Sequence, residues 1–427
     1  MTAMTTALPA SLADITVFDP DTYANGDPTT FGLPLQQFDY LREHAPCYLQ
    51  TFDDPLLVEQ TWVVTRWEDI NAIDRDPETW AANRGGVNIW KVTPLAPKHI
   101  ADEIGFGKPA MLVMDGEDHR RNRRVVSRTF TPTMVRGLEE RFRRYATRVV
   151  DDALAQDGPF NFIEVVAHAM PMEALGDVLG IPKEDRPKFF HWVDQFASPY
   201  DARVTKSFDQ LLQAIMELLA YAPELAELRR TNPTDDVITK MVQAVDSESM
   251  SEDEIQGNVA LLASGAAEST RTTLGHGMHE LMRDGEQMAW LRERADDIPS
   301  TVVQEMVRIA SPFTHLSRTA TKDLELHGQH INEGDKVAML FAAGNFDPEV
   351  FDEPRRFDLS RENNPHLSFG RGPHSCLGKH IAALEIKILL EELLQRTSEI
   401  KPAGPISYSR DNYSRGVYEL PVTVTAA

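Results

Sequence analysis

Phe369-Gly-Arg-Gly-Pro-His-Ser-Cys-Leu-Gly378 is a glycine-rich loop that brings one cysteine to the start of a predicted terminal helix. The free N–H groups and dipole of a helix N-terminus stabilise an anion, so this position favours a thiolate, which is the form of cysteine that binds metal. The first two glycines permit backbone angles closed to other residues, and Gly378 leaves room for a flat cofactor. We therefore predict that Cys376 is an ionised metal ligand, shielded by Phe369 and tuned by backbone N–H bonds to its sulfur.

Three other interpretations of this cysteine are weaker. A free structural cysteine is the commonest fate of an isolated one, but the neighbouring residues argue against it here. A dinucleotide-binding loop is disfavoured because Ser375 stands where the third glycine belongs and no strand leads directly into the segment. A zinc site needs further ligands, yet His276 and His279 lie far away on a different predicted helix, where ordinary packing accounts for them.

Composition narrows the class of protein. The chain has 427 residues, 42% hydrophobic and 26% charged, which suffices for a large core. Its 43 basic and 66 acidic residues give a net charge of −23, which disfavours nucleic acid and anionic membranes as partners. Two cysteines are too few for a disulfide scaffold, and no stretch resembles a signal peptide or a membrane span. We therefore expect a cytoplasmic protein.

Hydrophobic patterning predicts a mainly α-helical chain with a small β-rich region. Short β-rich pieces alternate with turns up to about residue 84, and the pattern over 115–311 is helical. Residues 251–254 have the spacing of a capping box that opens a long apolar helix. Short strands are expected over 324–343, and a final helix over 377–396 precedes a β-like C-terminus. No linker composition divides the chain.

The loop pattern Phe-Gly-x-Gly-x-His-x-Cys-x-Gly resembles the haem-ligand signature of the cytochrome P450 family, and the likeness extends over about residues 40–424. It implies the triangular-prism fold of that family, with 1–39 as an N-terminal extension and 40–427 as a single haem-thiolate monooxygenase domain. The implied cofactor is haem b, whose iron takes the Cys376 thiolate as its axial ligand.

The resemblance also assigns side chains around the cofactor. Four of them match positions that bind the haem propionates, and their imidazole and guanidinium groups suit charge-assisted hydrogen bonds to carboxylates: His119, Arg123, Arg318 and His374. Three others match the structural Glu–Arg–Arg triad of the family: Glu305, Arg308 and Arg356. By spacing alone, the Glu305 and Arg308 pair would be no more than a surface salt bridge.

A polar segment, Gly265-Ala-Ala-Glu-Ser-Thr270, interrupts the long apolar helix. A kink with the acid in a salt bridge is the simpler interpretation. The resemblance instead implies an oxygen-binding groove, in which Glu268 and Ser269 relay protons and Thr270 can share the role. The family usually has glycine in place of Ala266 and threonine in place of Ser269. Because serine lacks the methyl group that restrains χ1, we expect loose coupling, with some oxygen lost as peroxide.

The substrate pocket follows only from the resemblance. Its expected lining includes the loop 83–113 and six further residues: Leu261, Ser264, Gly265, Thr314, Leu316 and Tyr413. Two hydroxyl-bearing members, Ser264 and Thr314, indicate a substrate with at least one polar atom. The implied reaction is hydroxylation or oxidative dealkylation of a small-to-medium hydrophobic molecule such as a terpenoid, a steroid, a fatty acid or an aromatic compound.

Electrons must come from another protein, since the chain has no cysteine cluster for an iron–sulfur centre and no convincing nicotinamide or flavin loop. The basic run 119–128, with Arg120, Arg121 and Arg124 facing outward, predicts a positive patch for an acidic ferredoxin served by an NAD(P)H-dependent reductase. We expect a monomer that consumes O2. Two other hypotheses remain: the same fold with peroxide-driven, coupling or dehydration chemistry, and a haem-binding sensor without turnover.

Overall fold

The computed structural model describes residues 9–54, 57–90, 108–197, 201–247 and 249–427. Within them the helices, numbered in chain order, are α1 (Pro20–Ala24), α2 (Leu35–His44), α3 (Trp67–Arg75), α4 (Gly116–Val126), α5 (Pro132–Leu154), α6 (Ala169–Leu179), α7 (Arg186–Ala197), α8 (Phe208–Thr231), α9 (Val237–Asp246), α10 (Glu252–Arg283), α11 (Gly285–Arg292), α12 (Ser300–Ala310), α13 (Phe341–Gly344) and α14 (Lys379–Arg396). The strands are β1 (Cys47–Thr51), β2 (Gln60–Val64), β3 (Trp80–Ala81), β4 (Phe160–Asn161), β5 (Leu316–Ala320), β6 (Leu324–Leu326), β7 (Gln329–Ile331), β8 (Lys336–Met339), β9 (Thr397–Pro402), β10 (Ser407–Tyr408), β11 (Val417–Glu419) and β12 (Pro421–Ala426).

Helix α10 is the axis of the helical body. The predicted capping box opens it: the Ser251 hydroxyl accepts from the Glu254 amide at 3.2 Å, and the Glu254 carboxylate accepts from the Ser251 amide at 2.7 Å. These reciprocal bonds satisfy two of the unpaired donors at a helix start. The helix then packs against α6, α7, α8 and α12. It therefore fixes the positions of most elements that surround the site.

The β-rich part forms small sheets at the side of the helical body. The largest has the strand order β1-β2-β8-β5-β3, in which β2 and β8 run parallel and the other pairs antiparallel. A second sheet, β4-β12-β9, joins the C-terminus to the start of the helical middle. The hairpins β6-β7 and β10-β11 complete the set within the described residues.

Predicted and observed elements agree closely. The helical middle, the terminal helix and the β-structured C-terminus are confirmed, and the terminal helix begins two residues later than expected. The strands expected over 324–343 are present up to Met339, whereas residues 341–343 lie in α13. Residues 9–38 pack onto the rest of the described chain, and Ile15, Val17, Phe18 and Phe38 are buried in the main core. None of the helices in the described ranges combines the length and apolar character that a membrane crossing requires.

Candidate active site

The cysteine loop is folded tightly against α3. Gly370 and Gly372 both have positive φ, at 63° and 60°, which a side chain would strain. At Gly372 a Cβ would also lie 2.7 Å from the Asp74 carbonyl oxygen. The Cys376 amide donates to the Phe369 carbonyl at 2.6 Å. These contacts fix the cysteine backbone before α14 begins, as the glycine pattern predicts.

Two opposing electrostatic effects act on the Cys376 sulfur. Burial raises the pKa of the free thiol, and hydrogen bonds from the Gly378 and Lys379 amides, with the nearby Arg123 charge, favour the thiolate. This shift refers to the cysteine without a bound metal ion, so the predicted thiolate ligand stays a prediction at this point. A coordinated metal ion removes the proton from a thiol outright, so the predicted role as ligand does not require a low intrinsic pKa. The predicted backbone bonds to the sulfur are present.

A cavity of about 1130 Å³ separates the cysteine loop from α10. Cys376 and Gly378 lie on one side of it, and Gly265 and Ala266 line the side formed by α10. A Cβ at Gly378 or at Gly265 would meet no atom within 4 Å, so both glycines face open space. The fold thus keeps a gap between the sulfur and the helix at the two positions where the sequence lacks a side chain.

Basic side chains gather around the cysteine end of this cavity. His119 is 3% exposed, its ring centre lies 4.3 Å from that of His374, and its Nε2 has no partner within the described residues. Burial and the charges of His374 and Arg123 lower the pKa of His119 to about 4. Arg123 donates to the Ser375 carbonyl at 2.6 Å. The structure therefore brings three of the four predicted propionate ligands together.

Arg318, the fourth predicted propionate ligand, also lines the cavity but already has an acidic partner. Its Nη2 lies 2.7 Å from Asp74 Oδ1, and both side chains are 2% exposed. His374 Nε2 likewise lies 3.3 Å from Asp115 Oδ1. Sequence reasoning missed both acids, and the only signal for Asp115 was its place immediately before the basic helix α4. A guanidinium carries five donors, so pairing with Asp74 leaves Arg318 able to bind a second anion.

Comparison with known proteins identifies the family. The sequence profile described as Cytochrome P450 matches residues 95–402. A steroid C26-monooxygenase of Mycolicibacterium smegmatis is 32% identical over 369 residues, which cover 86% of this chain and 84% of the relative. A methyl-branched lipid omega-hydroxylase of Mycobacterium tuberculosis is 33% identical over 419 residues, covering 96% and 95%. The chain belongs to the cytochrome P450 family. The crystal structure of cytochrome P450 CYP268A2 from Mycobacterium marinum, in complex with pseudoionone, superposes with a TM-score of 0.84 at 32% identity, covering 96% of this chain and 100% of that one.

This membership makes the protein a haem-thiolate monooxygenase, whose family uses haem with a cysteine thiolate ligand. The cavity fits that cofactor. Gly378 and Gly265 both face open space, Cys376 lines the same cavity, and His119 Nε2 has no partner within the described residues, beside Arg123 and His374, which suit the carboxylates of haem. Cys47, the other cysteine, is buried in the smaller core cluster beside the sheet and does not line the cavity.

The polar segment of α10 shows an acid bound to a cation. Glu268 is 2% exposed and forms an ion pair with Arg271, whose Nη1 reaches Asp194 at 3.2 Å and His168 Nδ1 at 3.2 Å. Thr272 donates to the Glu268 carboxylate at 3.1 Å. The i,i+3 spacing of Glu268 and Arg271 was the only feature of the sequence that indicated this pair. This chain of side chains connects the buried acid to the partly exposed Asp194.

The two hydroxyl groups after Glu268 differ in their hydrogen bonding. The Ser269 hydroxyl donates to the Gly265 carbonyl at 2.8 Å, whereas the Thr270 hydroxyl has no partner within the described residues, and both residues line the cavity. Helix α10 runs without a break through this region, so the groove that the resemblance implied is not an interruption of the helix.

The Glu–Arg–Arg triad is formed in part by a different arginine. Glu305 and Arg308 are both fully buried and joined at 2.7 Å. Arg361 Nε lies 3.2 Å from the Glu305 carboxylate, in an ion pair that lacks hydrogen-bond geometry. Arg356 is 56% exposed and pairs with Glu353, so its assignment to the triad by side chain is wrong. Only its backbone carbonyl reaches Arg308, at 3.0 Å, because residues 352–361 turn its side chain to solvent.

Five of the six predicted pocket residues line the cavity: Leu261, Ser264, Gly265, Leu316 and Tyr413. Thr314 does not. Its hydroxyl bonds the Asn412 carbonyl and His315, and it is fully buried away from the cavity. The Ser264 hydroxyl also has an internal partner, the Leu261 carbonyl at 3.2 Å, so neither group supports a polar atom in the substrate.

Much of the apolar lining comes from helices that sequence reasoning did not assign to the site. The wall opposite the cysteine is formed by Leu175, Val178 and Leu179 of α6, Phe196 of α7, and Ile215, Leu218 and Leu219 of α8. Part of the loop over 83–113 also lines it, whereas its residues 91–107 lie outside the described ranges. Only an amphipathic pattern marked these helices, and that pattern does not tell a pocket from a core.

Proposed function

We propose that this monooxygenase hydroxylates an alkyl carbon of a largely apolar molecule of lipid, steroid or terpenoid type. The observation that carries the proposal is the cavity of about 1130 Å³, whose wall on the α6, α7 and α8 side is aliphatic and aromatic. Burying apolar surface there supplies most of the binding free energy, at roughly 25 cal/mol per Å². The names of the two relatives, a steroid C26-monooxygenase and a methyl-branched lipid omega-hydroxylase, support attack at a chain terminus.

Cys376 is proposed as the thiolate ligand, with Phe369 and Gly378 beside it. The propionates would be bound by His119, Arg123 and His374, and by Arg318 from the opposite wall. Haem held in this way supplies the binding and reductive activation of dioxygen. The protein contributes the orientation of the apolar substrate, the exclusion of bulk water by the aliphatic wall, and the movement of protons.

Protons are proposed to enter through Glu268. Its carboxylate is buried and receives Arg271 on one side, and Arg271 leads to Asp194 and His168 near the surface. The final donor is proposed to be Thr270, because the Ser269 hydroxyl is already bound to the Gly265 carbonyl. This arrangement uses the acid and alcohol of α10 in the roles predicted from the sequence.

The electron donor is proposed to be an acidic ferredoxin that docks a monomer on the face behind the cysteine loop. The exposed Arg124 lies at the end of α4, the exposed Arg128 follows it, and the exposed Lys379 begins α14 directly after the loop, on a protein of net charge −23. Arg121 is not among them, contrary to expectation, because it pairs with the capping Glu254 at 2.5 Å. Arg120 is paired with Glu117. Local positive potential attracts an acidic partner even when the total charge is negative. Two free cysteines fit a reducing cytoplasm.

Product analysis tests this function. The haem-loaded protein is incubated with a ferredoxin, its reductase, NADH and labelled dioxygen, together with a steroid, a long-chain lipid or a terpenoid. We expect one labelled oxygen atom in an alcohol at or near a chain terminus. Cys376→His is the control, and it should lose both the product and the red-shifted Soret band of the reduced carbon monoxide adduct. Unlabelled product, or label confined to aromatic carbons, would contradict the proposal.

A further inference from the structure

Two basic side chains of the cavity, Lys336 and Lys108, are not among the proposed propionate ligands. Lys336 donates to the carbonyls of Gly85, Gly86 and Asn88 at 2.7, 2.9 and 2.9 Å. Those three bonds use all the donors of an ammonium group. Lys108 also lines the cavity, but its partner is Asp253, at 2.5 Å, which is 59% exposed. Among the cations that line the cavity, Lys108 is therefore the one whose acidic partner can be replaced by water.

Backbone packing fixes the position of Lys108 along α10. The backbone carbonyls of Lys108 and Pro109 press against Gly257, where a Cβ would lie 2.3 Å from the Pro109 oxygen. Only glycine permits this approach, so the segment is fixed near the start of the helix. Asp253 lies in the first turn of the same helix. Lys108 therefore lines the cavity near the start of α10, and its ammonium lies beside the first turn of that helix.

Helix geometry sets the distance from this cation to the reacting region. At a rise of about 1.5 Å per residue, Gly265 lies ~12 Å along the axis from Gly257 and ~18 Å from Asp253. The cavity between is apolar, lined by Leu261 of α10 and by Ile215, Leu218 and Leu219 of α8. A cation at one end of an apolar passage of this length fits a molecule with an anionic head and a long alkyl tail.

We infer that Lys108 binds the carboxylate of the substrate, and that the substrate is a long-chain carboxylic acid oxidised at the end remote from that group. The substrate carboxylate displaces Asp253 from the ammonium, an exchange that costs little because the Lys108–Asp253 pair is partly exposed to water. The alkyl chain then follows α10 to Gly265. This inference rests on the proposed function and adds the chemical class and the orientation of the substrate.

Isothermal titration calorimetry on the haem-loaded protein tests the anchor without requiring turnover. The probes are dodecanoate, its uncharged methyl ester, and hexanoate, which is too short to span the passage. Lys108→Met is compared with Lys108→Arg, with Asp253→Asn, and with Lys401→Met as a control at an exposed lysine of β9. For Lys108→Met we expect dodecanoate affinity to fall about tenfold while ester affinity is unchanged. Lys108→Arg should retain binding, Asp253→Asn should tighten it, and hexanoate should bind weakly throughout.

Two results would overturn the anchor. One is an equal effect of Lys108→Met on acid and ester, which would mark Lys108 as a structural support for α10. The other is wild-type affinity for dodecanoate in Lys108→Met. Product regiochemistry separates this inference from the proposed function. If Lys108→Met hydroxylates the ester at its terminus and the parent shows no preference for the acid, Lys108 does not bind the carboxylate. The proposed monooxygenase function would still hold in that case.

Discussion

Replacing Arg308 with methionine removes the cation from a fully buried ion pair. Its guanidinium contacts the Glu305 carboxylate at 2.7 and 2.8 Å and donates to the carbonyls of Asn345, Pro354 and Arg356 at 3.0, 2.8 and 3.0 Å. Both side chains have 0% exposure. The substitution removes two donors from the carboxylate, which keeps the Asp358 amide and Asn364 Nδ2 as donors at 2.9 Å, and it removes the Arg308 donors to three carbonyls. The structure therefore predicts a large loss of stability rather than a local adjustment.

The expected loss in the free energy of unfolding differs among the three arginines near Glu305. Breaking a buried pair by removing one partner costs about 3–5 kcal/mol, which applies to Arg308→Met. Arg361 is 9% exposed, pairs with Glu305 without hydrogen-bond geometry, and donates to the Asp352 carbonyl at 2.7 Å. Arg361→Met should therefore cost less, about 1–3 kcal/mol. Arg356 is exposed and meets only exposed Glu353 by its side chain, so Arg356→Met should leave stability unchanged.

Urea unfolding of the haem-loaded variants, followed by far-ultraviolet circular dichroism, measures these differences from the midpoints at constant slope. The order of loss should be Arg308→Met, then Arg361→Met, then Arg356→Met. A loss for Arg356→Met equal to that for Arg361→Met would refute the reassignment of the triad. A loss below about 1 kcal/mol for Arg308→Met would refute the argument from uncompensated burial.

Three further outcomes are expected. Thr270→Val should lower the alcohol formed per NADH consumed, and raise peroxide, severalfold more than Ser269→Ala, because only the Thr270 hydroxyl lacks an internal partner; equal effects in product and peroxide assays would contradict this. Glu268→Gln should slow oxygenation by about 10²-fold, the range for losing a general acid, and Arg271→Met should raise the solvent deuterium isotope effect on that step; an unchanged isotope effect would separate Arg271 from proton delivery. Burial raises the pKa of the Asp411 carboxyl to about 7, from about 4 in the unfolded chain. The folded state therefore binds this proton more tightly, which contributes stability fully below pH ~4, and this contribution is lost as pH rises through 7. Asp411→Asn should match the parent near pH 4 and exceed its stability by up to about 4 kcal/mol at pH 8; parallel stability profiles in urea would disprove this.

The cysteine loop shows which structural features the local sequence specifies. Two positive-φ glycines, a cysteine before a helix and a histidine two residues earlier are local features, and the structure forms each of them. The capping box at Ser251 and the strands up to Met339 were equally local and equally correct. Such features depend on backbone angles and on bonds between near neighbours, which the order of residues specifies directly.

Other predictions failed where a partner distant in sequence decided the outcome. Arg121 was expected to face solvent, but it forms an ion pair with Glu254 of α10. Thr314 was expected in the pocket, but the Asn412 carbonyl takes its hydroxyl. In each case the free energy of a long-range contact exceeded the local preference.

The sequence by itself determined the α-rich architecture and the loop that brings Cys376 to the start of α14, because these reside in helical periodicity and in one short segment. The class of cofactor and the roles of the α10 side chains followed from the resemblance of that segment to a known family. Tertiary structure alone decided which arginine approaches Glu305, which hydroxyl of α10 has no internal partner, and that Lys108 lines the cavity beside Gly257. These depend on distances between segments brought together only by packing of the common core, and a linear pattern carries no such distances.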